Sequence, residues 1–220
     1  MHKIIDNFKN IQNQINSKIS ELKINNYIPN IVAVSKTFNI THINPLIDYG
    51  HEHFGENKVQ EALNKWSDIK IKNHKIKLHM VGKLQTNKVK HAIKIFDFIH
   101  SVDNLKLAQK ISEEQKKIEK KPKIFLQVNF ENESQKSGIA STSIFDFYTE
   151  CVKLNLDIIG TMCLPPISKN PEIYFSKLKQ INQRLNLLEL SMGMSNDYLK
   201  AIEYSSTYLR IGSQIFGERS

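Results

Sequence analysis

The chain of 220 residues, 40% hydrophobic and 24% charged, suits one domain with a packed core, and disorder is not its default. Its net charge of +9 comes from 28 Lys and only three Arg; since Arg is the preferred bidentate reader of phosphates and bases, the charge reads as a solvated basic surface and argues against a nucleic-acid partner. No apolar run approaches the roughly 20 residues of a bilayer span, no signal-peptide core follows Met1, and Cys151 and Cys163 form neither a disulfide framework nor a zinc cluster, so a reduced, soluble, cytoplasmic protein without a membrane partner is expected.

The first element is a helix over 4–22, with Ile4, Phe8, Ile11, Ile15, Ile19 and Leu22 on one face. A short apolar strand follows at 31–35 (IVAVS), then a strand at 51–55 (HEHFG) on which His51 and His53 share a face. These two histidines read as structural or polar-surface residues. A helix over 57–69 carries Val59, Leu63 and Trp66. Next come strands at 77–81 (KLHMV) and 98–102 (FIHSV), a helix over 104–118 with Asp103 as cap, and a strand at 123–129 (KIFLQVN). A helix over 143–154 leads to a strand at 157–162 (DIIGTM). Asn170 and Pro171 form an N-cap and N1 pair for a helix over 171–187. The chain finishes with a strand at 188–192 (LELSM), a helix over 196–204 capped by Ser195, and a strand at 208–211 (YLRI).

Near-continuous apolar runs fit parallel strands buried on both faces. Eight of them alternating with helices predict a (β/α)₈ TIM barrel with an extra N-terminal helix, spanning 1–220 as a single domain. A doubly wound open sheet is the second choice; no G-x-G-x-x-G follows the first strand. The eight His show no H-x-x-x-H helix pair, and no metal is expected.

In a barrel, chemistry gathers at the C-terminal strand ends. Lys36 follows a wholly apolar strand, where partial desolvation would favour the neutral, nucleophilic amine. The segments Ser191-Met192-Gly193-Met194-Ser195 and Gly212-Ser213 follow the last two strands, the usual place of a barrel phosphate site. Ring closure makes Lys36 their neighbour. An amine beside a phosphate cup describes a site for a phosphorylated aldehyde, and pyridoxal 5′-phosphate (PLP) fits it. Arg210, on strand eight beside that cup, would face the cofactor ring or else serve as a surface or salt-bridge arginine; an Arg at a PLP ring nitrogen stays a cation, leaves that nitrogen unprotonated and weakens carbanion stabilisation.

Several motifs resemble, in order, those of the YggS/PROSC family of PLP-binding homeostasis proteins. They are Val34-Ser35-Lys36-Thr37, His53-Phe54-Gly55-Glu56-Asn57, His79-Met80-Val81-Gly82-Lys83-Leu84-Gln85-Thr86-Asn87-Lys88, Asn129, Lys136-Ser137-Gly138, Thr161-Met162, Ser191 to Asp197, Thr207 to Ser213 and Ile215 to Arg219. The resemblance implies a barrel like the N-terminal domain of alanine racemase, with PLP as a Schiff base on Lys36. It implies phosphate contacts from Ser195, Gly212 and Ser213, and further ones from Ser191 and Thr207. It puts Arg210 at the ring nitrogen and Asn57, His79, Asn129 and Met162 around the ring. Lys136 matches a family position near the site. The chain departs from the family's pattern at Ser205, where Gly is common, and at Cys163, read as a small buried hydrophobe.

The implied role is intracellular PLP (vitamin B6) homeostasis, as a reservoir or carrier without robust catalysis. PLP-dependent apo-enzymes are candidate recipients, and the chain is expected to be a monomer or weak dimer. The alternative is a PLP-dependent, racemase-like enzyme. Racemisation needs two bases on opposite faces of the substrate, and the sequence ends at Ser220, just beyond strand eight, with no second domain expected to supply the other base.

Overall fold

The computed structural model describes residues 3–131, 137–166 and 168–218. Nine strands form among the described residues: β1 (Asn30–Val34), β2 (His53–Glu56), β3 (Lys77–Met80), β4 (Phe98–Val102), β5 (Lys123–Asn129), β6 (Ile139–Ala140), β7 (Asp157–Cys163), β8 (Glu189–Met194) and β9 (Tyr208–Ile211). Eight of them close a parallel ring in the order β1-β2-β3-β4-β5-β7-β8-β9, β9 pairing back onto β1, and β6 adds two residues beside the end of β5. The helices are α1 (Lys3–Glu21), α2 (Ile40–Asp48), α3 (Val59–Lys72), α4 (Val89–Ile95), α5 (Leu105–Ile118), α6 (Ile144–Lys153), α7 (Pro171–Arg184), α8 (Tyr198–Glu203) and α9 (Ser213–Phe216). This is the expected (β/α)₈ barrel with its extra N-terminal helix. No helix among the described residues is long and apolar enough to cross a membrane.

Strand parity sorts the apolar residues into two bodies. One parity, including Ala33, Phe54, Leu78, Ile99, Leu126, Leu190 and Leu209, packs outward under the helices in the main core. The other, Val32, Phe98, Phe125, Met162 and Tyr208, packs together as a separate cluster inside the ring. Both faces of each strand are therefore dry, which is why the strands read as unbroken apolar runs. Outside the ring, α1 buries Ile4, Phe8, Ile11 and Ile15, and its Asn7 Nδ2 donates to the Ile215 carbonyl at 3.0 Å.

Several local expectations need correction. β2 begins at His53, so His51 lies ahead of the strand and packs on Phe8 and Phe54, 4.7 and 5.2 Å between ring centroids. His53 turns to the opposite side, toward His79, and the two do not share a face. Asn104, not Asp103, caps α5, accepting from the Leu107 N–H at 2.9 Å. Ser195 caps no helix; α8 starts three residues later, after Asp197. The sequence reading also missed α2, which carries Pro45 inside it, the seven-residue α4, and the very short α9 and β6. Asn170 with Pro171 at N1 opens α7 as expected.

Gly160 sits where the β5–β7 register slips, Ile124 pairing with Ile158 but Phe125 with Gly160. A Cβ there would lie 1.9 Å from the Glu189 carbonyl oxygen of β8. Only a residue without a side chain lets these two strands touch. Gly160→Ala is expected to cost about 1–3 kcal/mol or more, read as a lower urea midpoint with an unchanged slope.

Candidate functional site

The C-terminal strand ends open into one cavity of about 1390 Å³. Its walls include Val34 and Lys36 after β1, Asn57 after β2, Val81 to Lys83 after β3, Gln127 to Asn129 on β5, Leu164 to Pro166 after β7, Met194 to Asp197 after β8, and Arg210, Gly212 and Ser213 at β9. That volume exceeds the roughly 300–1,000 Å³ usual for a small-molecule site, and the cavity is open to solvent.

Lys36 shares parity with Val32 and Val34 and is half-buried at the end of β1. The next residue, Thr37, has φ +71°, a left-handed conformation that a β-branched residue adopts only when its surroundings impose it. Those surroundings are polar and specific. Glu61 Oε1 accepts from the Thr37 N–H at 2.6 Å. Lys65, from the next turn of α3, donates to Glu61 Oε1 at 3.0 Å, to the Ser35 carbonyl at 2.9 Å and to Glu56 Oε1 at 2.9 Å. Glu56 Oε1 also accepts from Ser35 Oγ at 2.7 Å and Trp66 Nε1 at 2.9 Å. The residue on each side of Lys36 is thus tied to one buried ionic knot. Burial pushes the Glu56 carboxyl up, against the pull of Lys65 and of the bonds from Trp66, Lys65 and Ser35. For Glu61, burial is outweighed by Lys65 and the Thr37 N–H, and its pKa is lowered.

Arg210 is the buried cation of the cavity floor. Its Nη1 donates to Ser191 Oγ and its Nη2 to the Cys163 carbonyl at 2.9 Å. Burial lowers its pKa, yet Arg does not lose its proton in proteins. The Cys163 thiol is pushed up to about 12 by burial, so it is a protonated, unreactive filler. Behind Ser191 runs a line of imidazoles. His100 Nδ1 lies 2.8 Å from Ser191 Oγ, His100 Nε2 2.9 Å from His79 Nδ1, and His79 Nε2 2.9 Å from His53 Nδ1. Phe98 stacks on His79 and Phe125 on His100, at 4.2 and 4.3 Å. Burial holds both inner imidazoles well below the ordinary His pKa, and it also lowers His53 and takes His51 down to about 4.

On the far wall, Ser195 Oγ accepts from the Gly212 N–H at 3.3 Å, joining the loops after β8 and β9. Asp197 Oδ1 accepts from the Met194 N–H at 2.6 Å and holds the β8 loop in place. At Gly212 a Cβ would come within 3.2 Å of the Val34 carbonyl oxygen, so the β9 loop lies directly against the strand that carries Lys36.

Of the residues singled out from sequence, Lys36, Asn57, Asn129, Ser195, Arg210, Gly212 and Ser213 line this cavity together. Four do not, and each is corrected by its depth in the barrel. His79 lies one inward position below Val81 and is fully buried in the imidazole line. Met162 is sealed in the interior cluster. Ser191 pairs with Tyr208, one layer beneath Arg210, and supports that side chain from below. Thr207 precedes β9 at the opposite end of the barrel, where its Oγ1 accepts from the Leu190 N–H at 2.8 Å. Lys136 and Arg219 lie outside the described residues. The sequence reading missed Gln127, whose Nε2 donates to the Ser137 carbonyl at 2.8 Å. Its parity with Asn129 on β5 was the available signal. Lys83 and Ser137, both inside motifs quoted above, and Lys200, on α8, also line the cavity and were not singled out.

The family profile described as alanine racemase, N-terminal domain, matches residues 2–220. Pyridoxal phosphate homeostasis proteins are among the relatives: that of Aquifex aeolicus is 35% identical over 86% of both chains. That of Vibrio cholerae is 34% identical over all of this chain and 98% of its own. Among solved structures, PipY of Synechococcus elongatus with PLP bound superposes with a TM-score of 0.80 at 30% identity, covering 92% of this chain and all of that one. Alanine racemase of Clostridium difficile shares the fold, TM-score 0.71 at 15% identity, over 97% of this chain and 57% of its own.

The buried neutral imidazoles set a pH dependence of stability. Their folded pKa values lie below that of an unfolded His, so the unfolded state binds more protons as pH falls beneath about 6.5. Stability is therefore complete above that pH and lost below it, by up to roughly 1.4 kcal/mol per pH unit for each buried ring. Urea unfolding between pH 7 and 5 is expected to show this slope, and His79→Phe with His100→Phe to reduce it, leaving the share of His51 and His53.

Proposed function

Since the chain belongs to the family of the alanine racemase N-terminal domain, with pyridoxal phosphate homeostasis proteins as relatives, we propose that it binds PLP and serves PLP homeostasis as a reservoir or carrier. Residues 1–220 act as one binding unit in this reading. The observation that carries it is the meeting, in one cavity, of a half-buried Lys36, a buried Arg210 and the Ser195–Gly212 loop pair.

Each part suits one part of the cofactor. The Lys36 amine holds the aldehyde covalently, on a backbone turn already fixed by Glu61 and Lys65. Ser195, Ser213 and the Gly212 amide supply donors for the phosphate. Arg210 keeps donor hydrogens for an acceptor at the ring nitrogen. Asn57 and Asn129 face the ring from β2 and β5. When bound, PLP supplies an electrophilic carbon and an electron-withdrawing ring, and Arg210 restrains the second of these because it cannot protonate the nitrogen. Weak carbanion stabilisation suits storage better than turnover. The open cavity argues the same way: water and competing amines reach it, which a carbanion enzyme must exclude and a carrier must tolerate. PLP-dependent apo-enzymes are the recipients such a carrier would serve.

The purified protein is expected to show a visible PLP absorption band that borohydride fixes onto a peptide containing Lys36, and Lys36→Ala is expected to lack it. Ser195→Ala with Ser213→Ala should weaken PLP binding by about ten- to a hundredfold, the worth of charge-assisted hydrogen bonds, while leaving Lys36 labelled at saturation. Label on another lysine, or steady racemisation of an amino acid lost in Lys36→Ala, would refute the carrier reading.

A further inference from the structure

The line of histidines inside the barrel has a definite hydrogen-bond polarity. Arg210 has donors only, so Ser191 Oγ accepts from it. Ser191 is fully buried, and its own hydroxyl hydrogen needs an acceptor. Among the described residues the partner available is His100 Nδ1 at 2.8 Å. That nitrogen is therefore bare, and the hydrogen of His100 sits on Nε2. It is donated to His79 Nδ1, and His79 Nε2–H is donated in turn to His53 Nδ1. The opposite polarity would aim two donors at Ser191 Oγ and strand its hydrogen in a dry interior. Burial keeps the inner rings neutral, so each carries a single hydrogen and the line has one consistent arrangement.

We infer that His53, His79 and His100 are positioning residues, an imidazole column that orients the Ser191 hydroxyl and through it clamps the Arg210 guanidinium at the floor of the cavity. The column crosses three strands, from β2 through β3 to β4, and then spans the barrel to β8 and β9. Stacking on Phe98 and Phe125 fixes the planes of the rings, leaving the column little freedom except its hydrogen placement. With Nη1 committed to Ser191 and Nη2 to the Cys163 carbonyl, the guanidinium cannot rotate without breaking both bonds. The inference deepens the PLP reading and rests on it for the ring that Arg210 serves. The column itself can be tested without the cofactor.

In protein prepared without PLP, ¹⁵N NMR of labelled histidines at pH 7 is expected to find His53, His79 and His100 each protonated on Nε2. Arg210 should give slowly exchanging guanidinium signals. His100→Phe, which keeps a stacked ring but no nitrogen, should speed exchange at Arg210, weaken PLP binding about tenfold and shift the absorption band, with Lys36 still labelled. His100→Gln, which keeps an acceptor, should restore the exchange rate in part. Ser191→Ala tests the same link if His100→Phe fails to fold. An Nδ1–H tautomer at His100 in the unaltered protein, or Arg210 signals unmoved in both His100→Phe and Ser191→Ala, would overturn the column. If PLP fails to load on Lys36 at all, the functional reading falls, and the tautomer and exchange data still decide the column.

Discussion

Closing eight parallel strands into a ring forces every second side chain of each strand into a space with no exit except the two ends. That steric constraint governs the rest of this molecule. The inward positions fill from the middle with Val32, Phe98, Phe125, Met162 and Tyr208, and the polar members of the same parity survive only by bonding to one another or by reaching the mouth. His79, His100 and Ser191 take the first route. Lys36, Asn57 and Asn129 take the second, reaching the cavity at the C-terminal ends of their strands. Arg210 does both: it is rooted in the interior and faces the cavity.

The cavity is consequently rigid where it holds charge and open where it meets solvent. A guanidinium taken out of water is tolerable only with its donors spent, and Ser191 and the Cys163 carbonyl spend two of them before any ligand arrives. The turn at Lys36 is held in the same manner from outside the barrel, by carboxylates and a lysine that belong to β2 and α3. Neither support touches the cavity directly. Both lie behind the residues they steady, which is where preorganisation has to be built if the cavity is to stay open.

Much of this was legible in the residues. The eight apolar runs located the barrel strands because two dry faces leave a run unbroken. The strand ends supplied Lys36, Asn57, Asn129, Ser195, Arg210, Gly212 and Ser213. What failed was depth along the barrel axis. Thr207 and Ser191 stand next to good candidates in the sequence, but a rise of about 3.3 Å per residue moves them below the floor or to the far end. His79 has the right parity and the wrong layer. Gln127 was passed over although Asn129 shares its face. α2 and α9 escaped because an internal proline and a four-residue length leave no periodicity to read. The buried Glu56–Lys65–Glu61 knot was invisible too, since its members look like surface charges until β2 and α3 bring them together.

The pairing of β1 with β9 has a bearing on biosynthesis. Lys36 is made early and Arg210, Gly212 and Ser213 late, while Asn7 at the start of the chain waits for the Ile215 carbonyl, 208 residues onward. A nascent polypeptide leaving the ribosome carries Lys36 long before the strand and loop that complete the cavity wall beside it. The cavity beside Lys36 is therefore completed only once β9 has been made, and a chain truncated before the ninth strand would leave β1 without its partner on that side.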